Sequence, residues 1–169
     1  MPTHIAFLRA VNVTGTGKLQ MAPFRARCET AGFANVRSYI ASGNILVDSR
    51  LAASTVQRRI EALATEMVGK HTAVFVRSPR ELESALRANP FRNAEPARVM
   101  VLFLAAPPAA ATLVGWPTPG DEELRLIGRE LFIHFPHGQG QSRLKIPFAD
   151  VGTGRNLNTV RAVLELADA

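Results

Sequence analysis

Apolar residues recur with two different periods in the first half of the chain, and together they predict an order of strands and helices. Strand-forming runs lie at residues 4–10, 35–40, 44–48 and 72–77. Between them, two segments carry apolar residues three and four positions apart and stop at Gly32 and Gly69, which is typical of amphipathic helices that end in a glycine. The resulting order, βαββαβ, is that of a ferredoxin-like sandwich.

The second half predicts a similar succession. Ser78, Pro79 and Glu81 combine an N-cap, a proline at the first helical position and a capping glutamate, so a helix begins there and ends before Pro90. A strand, a short helix, a hairpin and a last helix follow at residues 98–105, 109–115, 123–127 with 130–135, and 156–167. The two similar halves suggest a duplication, although the residues do not repeat.

We therefore expect an α+β protein with a ferredoxin-like βαββαβ first half followed by a second, βαββα-like half. The expected subdomains are residues 1–77 and 78–169, joined in one compact unit.

Composition places the chain among globular proteins, with 47% hydrophobic and 20% charged residues. The single cysteine, Cys28, excludes an intrachain disulfide and falls on the apolar face of the first helix, which predicts a core residue. Arg9 interrupts the first apolar run before it reaches the length of a signal peptide, and Pro107 and Pro108 divide the most apolar window, residues 99–116. We expect a soluble cytoplasmic protein without a membrane span.

The net charge of +6 and the isoelectric point near 10.7 are compatible with a polyanionic partner, such as nucleic acid or a phosphorylated metabolite. The basic residues are scattered, however, and nearly all are arginine, so a coding bias toward arginine explains the charge equally well. Exposed aromatic residues, on which proteins stack single-stranded bases, are few. The charge alone favours nucleic acid only weakly.

The loop at residues 11–18 contains Gly17 and Lys18, which match the last glycine and the lysine of a nucleotide-binding P-loop. Asn12 stands where the first P-loop glycine is needed, and Leu19 stands where the Mg²⁺-binding hydroxyl is needed, so the loop is not a P-loop. A glycine-containing loop with a lysine before a helix still suits an anion. A flexible connector with a solvated lysine is the alternative.

The predicted topology brings a second loop to the same edge. In a βαββαβ sandwich with right-handed crossovers, the end of the first strand lies beside the hairpin between the second and third strands. The polar residues that this placement gathers are Arg9, Asn12, Lys18, Ser42, Gly43 and Asn44. Their convergence predicts a ligand-binding site; the alternative is a turn composed of good turn residues.

The start of the last helix offers another polar group, made of Arg155, Asn156 and Asn158. Exposed backbone amides beside Arg155 would suit a phosphate or carboxylate. Because Asn156 or Thr153 can serve as the N-cap, simple capping is the alternative.

No residue set predicts a reaction. His134 and His137 lack a third metal ligand, Ser42 lacks the flanking pattern of a nucleophile elbow, and no carboxylate pair has a spacing suited to acid–base catalysis. We predict no metal and no cofactor, and whether the protein is an enzyme stays open.

Three motifs resemble those of the domain of unknown function 1697 (DUF1697) family: Phe7-Leu-Arg-Ala-Val-Asn-Val-Thr-Gly15 with Lys18 and Met21, Val36-Arg-Ser-Tyr-Ile-Ala-Ser-Gly-Asn44, and Arg155-Asn-Leu-Asn-Thr-Val160. The resemblance implies a small bacterial cytoplasmic α+β protein and no established activity. It also implies a shared role for the polar motif positions, which are Arg9, Asn12, Ser42, Gly43, Asn44, Arg155, Asn156 and Asn158.

The chain departs from the family pattern at four positions. Ala10 and Thr14 stand where the family usually has glycine, so a close backbone approach at the first loop would be less tight. Leu157 replaces the usual tryptophan, which indicates a core position, and Gly154 replaces the usual threonine.

These observations leave three hypotheses. The first is a protein that binds an anionic small molecule or nucleic acid through the polar edge, with Arg9, Lys18 and Arg155 supplying charge and the asparagines orienting the ligand. The second is an enzyme that acts on a phosphorylated or carboxylated metabolite at the same edge. The third is an interaction module, which would form a homodimer through an exposed sheet edge.

Overall fold

The structure, a computed structural model, describes residues 1–12 and 18–169. The chain divides into two compact units. Unit 1 contains Met1–Leu82 and Ala162–Ala169, and unit 2 contains Glu83–Arg161. Whether residues 1–77 and 78–169 behave as subdomains stays a prediction.

Unit 1 contains the predicted ferredoxin-like arrangement. Its elements are β1 (Thr3–Leu8), α1 (Met21–Thr30), β2 (Ala34–Tyr39), β3 (Asn44–Asp48), α2 (Ala53–Val68) and β4 (Val74–Arg77). The sheet has the order β2-β3-β1-β4, and every neighbouring pair is antiparallel. The predicted fold of the first half is therefore confirmed.

The two helices of unit 1 bury one apolar stripe each. Phe24 and Cys28 are four residues apart in α1, Val56 and Ile60 are four apart in α2, and all four side chains lie in one core with the apolar face of the sheet. Gly69 ends α2 in the left-handed conformation, with φ of 87°, as the sequence indicated. Burial raises the pKa of the Cys28 thiol to about 12, so this residue is an inert part of the core.

Arg37 connects three parts of unit 1. Its Nη2 donates to Asp48 Oδ1 at 2.9 Å, and its Nη1 donates to the carbonyl oxygen of Leu166 at 3.0 Å. Asp48 also accepts hydrogen bonds from Thr3 Oγ1 and Asn35 Nδ2. Burial alone would raise the pKa of Asp48, but the hydrogen bonds from Thr3 and Asn35 and the charge of Arg37 outweigh it and lower the pKa below the ordinary 3.8.

The chain continues with α3 (Pro79–Arg87), β5 (Val99–Leu104), β6 (Glu123–Ile127), β7 (Glu130–His134), β8 (Gly152–Asn156) and α4 (Leu157–Asp168). The predicted capping box begins α3, because Ser78 N donates to Glu81 Oε1 and Glu81 N donates to Ser78 Oγ. The short helix predicted at 109–115 is a single 3₁₀ turn, Ala110–Leu113.

Strand β8 was missed by the sequence interpretation, because Gly152 and Gly154 interrupt any apolar pattern. The glycines let β8 approach β5 closely. A Cβ at Gly152 would lie 2.8 Å from both the carbonyl oxygen of Phe103 and Cδ2 of Leu104, and one at Gly154 would lie 2.7 Å from Sδ of Met100.

The second sheet repeats the first, with the order β6-β7-β5-β8. The register repeats as well. Phe7 pairs with Asn44 and Phe103 pairs with Glu130, so the two phenylalanines occupy equivalent positions. The other strand pairs correspond in the same way, except that β2 has a register irregularity between Ala34 and Arg37 that β6 lacks. The buried Arg77 and Arg155 pair with the third residue of β1 and of β5, respectively. This supports the duplication that the succession of elements suggested.

Candidate functional site

The end of β1 lies directly against the turn between β2 and β3, as the topology predicted. Leu8 N donates to the carbonyl oxygen of Gly43 at 2.8 Å, and the buried Val11 packs on the same turn. Gly43 has φ of 90°, and a Cβ there would lie 2.6 Å from Cγ2 of Val11. Only glycine combines this conformation with such close contact.

The amide of Asn12 holds the two loops together. Its Nδ2 donates to the carbonyl oxygens of Leu19 at 2.6 Å and Ala41 at 2.7 Å, and its Oδ1 accepts from Leu19 N at 2.8 Å. Both N–H donors of the side chain are therefore engaged with backbone. Asn12 itself has φ of 55°, a left-handed conformation that asparagine tolerates better than most residues.

Asn44 performs a similar task within the turn. It is fully buried, and its Nδ2 donates to the carbonyl oxygen of Tyr39 at 2.9 Å and to Ser42 Oγ at 3.0 Å. Ser42 and Asn44 thus stabilise the turn from inside, which agrees with the alternative that the turn composition raised.

An open cleft of about 550 Å³ lies beside these loops, and we name it the Asn12 cleft. Its lining residues are Asn12, Leu19, Gln20, Met21, Arg25, Ser38, Ile40 and Ala41. Helix α1 begins at this cleft, with no side-chain cap at Gln20 and no acidic residue in its first turn. The positive end of a helix dipole therefore contributes to the cleft.

Arg25 and Ser38 are site residues that the sequence interpretation missed. Arg25 Nη1 donates to Ser38 Oγ across the space between α1 and β2. A signal was available, because Arg25 follows Met21 by four positions and so lies on the same face of α1.

Ile40 forms an apolar wall of the cleft. It has φ of 47°, which is rare for a β-branched residue, and its side chain is 54% exposed. Backbone strain combined with apolar exposure is typical of positions that serve a function other than packing.

Lys18 and Arg9, the two cations predicted for this edge, differ in their position relative to the cleft. Lys18 is exposed and immediately precedes Leu19, at the rim of the cleft. Arg9 is half-buried, its backbone N–H donates to the carbonyl oxygen of Ala73, and its side chain is not among the lining residues. The predicted positions 13–17 of this loop lie outside the described residues.

The third polar group belongs to unit 2. Arg155 is buried and its Nη1 donates to Thr153 Oγ1 and to the carbonyl oxygen of Gly154; burial lowers the pKa of its guanidinium to about 10, which keeps it charged at neutral pH. Asn156 is the N-cap of α4, since its Oδ1 accepts from Thr159 N at 2.9 Å. Asn158 is exposed in the first turn of α4. A role shared by this group and the Asn12 cleft stays a prediction.

In residues 1–12 and 18–169, no three His, Cys, Asp or Glu side chains gather as metal ligands would. Within the same ranges, every helix is too short or too polar to cross a bilayer.

Two antiparallel four-stranded sheets of ferredoxin-like strand order, with a cleft beside the first helix, define the class of protein as an α+β fold. The chain belongs to the family described as protein of unknown function (DUF1697), whose pattern it matches over residues 1–132. This confirms the family that its motifs resemble.

A solved structure, that of conserved bacterial protein SP0830 from Streptococcus pneumoniae, is similar with a TM-score of 0.81 over 98% of both chains. At 23% sequence identity this similarity shows the fold. A comparison with curated proteins gives no match.

Proposed function

We propose that the protein binds an anionic ligand, a nucleic acid strand or a phosphorylated small molecule, in the Asn12 cleft. The proposal rests on one observation: the uncapped start of α1 and Arg25 both line the same open cleft. None of the described lining residues is acidic. The electrostatic balance of the cleft is therefore positive.

Lys18, at the rim of the cleft, adds another positive charge. Lys18 is exposed and has no ion pair within the described ranges. A lysine on such a loop attracts phosphate as a point charge, whereas Arg25 offers a planar fork that suits two phosphate oxygens.

The shape of the cleft favours an extended ligand. Pockets for metabolites enclose most of the ligand surface, whereas this cleft is shallow and largely open to solvent. Met21 and Ile40 offer an apolar surface beside Arg25, so a sugar or base can rest on them while a phosphate meets the cation. A short single strand of nucleic acid fits this arrangement better than a compact metabolite.

In this arrangement Asn12 and Asn44 are positioning residues. Their amides fix the loop end and the turn that form two sides of the cleft, and Gly43 permits the contact between them. The ligand itself is contacted by Arg25, Lys18 and the first backbone amides of α1.

The test is a fluorescence anisotropy titration with a labelled oligothymidylate of eight nucleotides, its oligouridylate counterpart and ATP, at low and moderate salt. The expected result is salt-dependent binding of at least one oligonucleotide. Arg25→Ala should weaken it about tenfold and reduce the slope of log K against log salt by about 0.7, the value for one phosphate contact of a single strand.

Arg27→Ala is the matched control. Arg27 lies on the same helix and pairs with Glu66 at 2.8 Å, away from the cleft, and this replacement makes the same change in charge. If Arg25→Ala and Arg27→Ala weaken binding equally, only the net charge matters and the cleft proposal is wrong. It is equally wrong if ATP and both oligonucleotides fail to bind at low salt.

A further inference from the structure

Unit 2 contains a second cavity, separate from the Asn12 cleft, with a volume of about 280 Å³. Its walls come from the turn before β6 and from the segment after β7. The polar residues that line it are Glu122, His137, Gln141, Ser142 and Arg143. The volume lies just below the usual range for ligand pockets, which suits a molecule the size of an amino acid and excludes a nucleotide.

Glu122 is the unusual member of this wall. Its side chain is 8% exposed, and its Oε1 accepts one hydrogen bond, from Gly120 N at 3.2 Å. Among the residues that the structure describes, none donates a hydrogen bond to Oε2 of Glu122, and this oxygen keeps contact with solvent although the residue as a whole is buried. A buried carboxylate is costly unless its charge and lone pairs are compensated. In the free protein one backbone amide and the solvent contact of Oε2 supply this compensation.

Gly120 makes room for that carboxylate. A Cβ added there would overlap Oε2 of Glu122, and the backbone of Gly120 does not have the positive φ that would itself require glycine. Gly120 therefore leaves space for the carboxylate of Glu122, and the backbone conformation of the turn does not itself require a glycine.

A cation lines the same cavity without pairing with Glu122. Arg143 is exposed, and within the described ranges its guanidinium makes neither a hydrogen bond nor an ion pair. His137 is paired with Asp121 at the surface, with 3.2 Å between Nε2 and Oδ2. The residues that line the cavity thus include one largely buried acid, Glu122, and one exposed arginine, Arg143.

We propose that this cavity binds a small zwitterion, whose ammonium group pairs with Glu122 and whose carboxylate pairs with Arg143. An ammonium group supplies the donors that Oε2 lacks, and a carboxylate matches the guanidinium fork. The proposal does not depend on the proposed function of the Asn12 cleft, because no residue lines both cavities.

The experiment is an NMR titration of the full chain with glycine, β-alanine and γ-aminobutyrate, each to about 10 mM. The amide of Gly120 is the reporter, because it donates to Glu122. At least one of these zwitterions should shift that resonance with saturation. The matched alkyl amine and the matched fatty acid, which each carry one of the two groups, should bind at least about tenfold more weakly.

Two pairs of variants test whether Glu122 is the acid that binds the ammonium group. Glu122→Gln should reduce affinity at least about tenfold, whereas Glu123→Gln, at an exposed neighbour outside this cavity, should not. Gly120→Ala should displace the carboxylate and reduce affinity similarly while leaving the fold intact. Gly140→Ala, where an added Cβ meets nothing within 4 Å, is its control.

A third pair tests the cation. Arg143→Gln should reduce affinity for the zwitterion, and Lys145→Gln, two residues along and outside this cavity, should not. If Glu122→Gln fails to fold, Gly120→Ala and Arg143→Gln still decide the question. Failure of all three zwitterions to bind, or binding that persists in Gly120→Ala and Arg143→Gln, would overturn the proposal.

Discussion

Replacement of Asn12 by alanine tests whether this side chain organises the candidate site. The change removes three hydrogen bonds to backbone atoms of Leu19 and Ala41. The two bonds to Leu19 are partly buried and contribute about 1 kcal/mol each, and the exposed bond to Ala41 contributes less. Alanine at φ of 55° adds about 1 kcal/mol of strain. We expect the free energy of unfolding to fall by about 3 kcal/mol.

Two other substitutions at Asn12 separate the causes. Glycine removes the hydrogen bonds but accepts the positive φ, so it should lose about 1 kcal/mol less than alanine. Aspartate keeps an acceptor for Leu19 N but turns an oxygen toward the carbonyl oxygens of Leu19 and Ala41, so it should destabilise the protein despite its identical shape.

Urea denaturation followed by circular dichroism gives the free energies, and hydrogen exchange of the Leu19 amide reports the local effect, because that amide donates to Asn12 Oδ1. Exchange at Leu19 should accelerate in the alanine and glycine variants, which lose the acceptor for this amide. A loss below about 0.5 kcal/mol in the alanine variant, with Leu19 exchange unchanged, would refute the reasoning. Wild-type stability of the aspartate variant would refute it as well.

Three further predictions concern the fold. The depressed folded pKa of Asp48 means that its contribution to stability is present above the ordinary 3.8 and is lost as the pH falls below it. Wild type should therefore lose stability relative to Asp48→Asn as the pH falls below 3.8, and parallel curves from acid titration monitored by fluorescence would contradict this. Gly152→Ala should cost about 1–3 kcal/mol in denaturant unfolding because it meets backbone, and Gly154→Ala should cost less because it meets a flexible methionine side chain; the reverse order would contradict the packing. Cys28, which is fully buried with its pKa raised to about 12, should resist iodoacetamide in the folded protein and react in urea; rapid labelling of the native state, followed by mass spectrometry, would exclude a core position.

The elements that the sequence predicted well are those with local signals. The glycine at residue 69 and the capping pair Ser78 and Glu81 determine helix ends through contacts within a few residues, and the alternating strands of unit 1 carry their own apolar pattern. Strand β8 has no such signal. Its glycines are explained by β5, a neighbour that lies about fifty residues earlier, so the cause is tertiary contact.

The candidate site was likewise predictable only in part. Its location followed from topology, because the strand order of a ferredoxin-like sandwich brings the end of β1 to the turn before β3. The tasks of Asn12 and Asn44 did not follow, because their amides bind backbone atoms whose positions only the folded chain defines. Arg25 was not predicted for a different reason. It lies within a helix, and only the folded chain shows that its guanidinium meets Ser38.

The repeated register gives most residues of the first sheet a counterpart in the second. Tyr39 and Asn44 correspond to Ile127 and Glu130, which flank the equivalent hairpin. Four residues connect the strands in the first sheet, whereas two connect them in the second. If the two halves descend from one ancestor, they have diverged in the length of this hairpin, and the longer hairpin is the one that borders the Asn12 cleft.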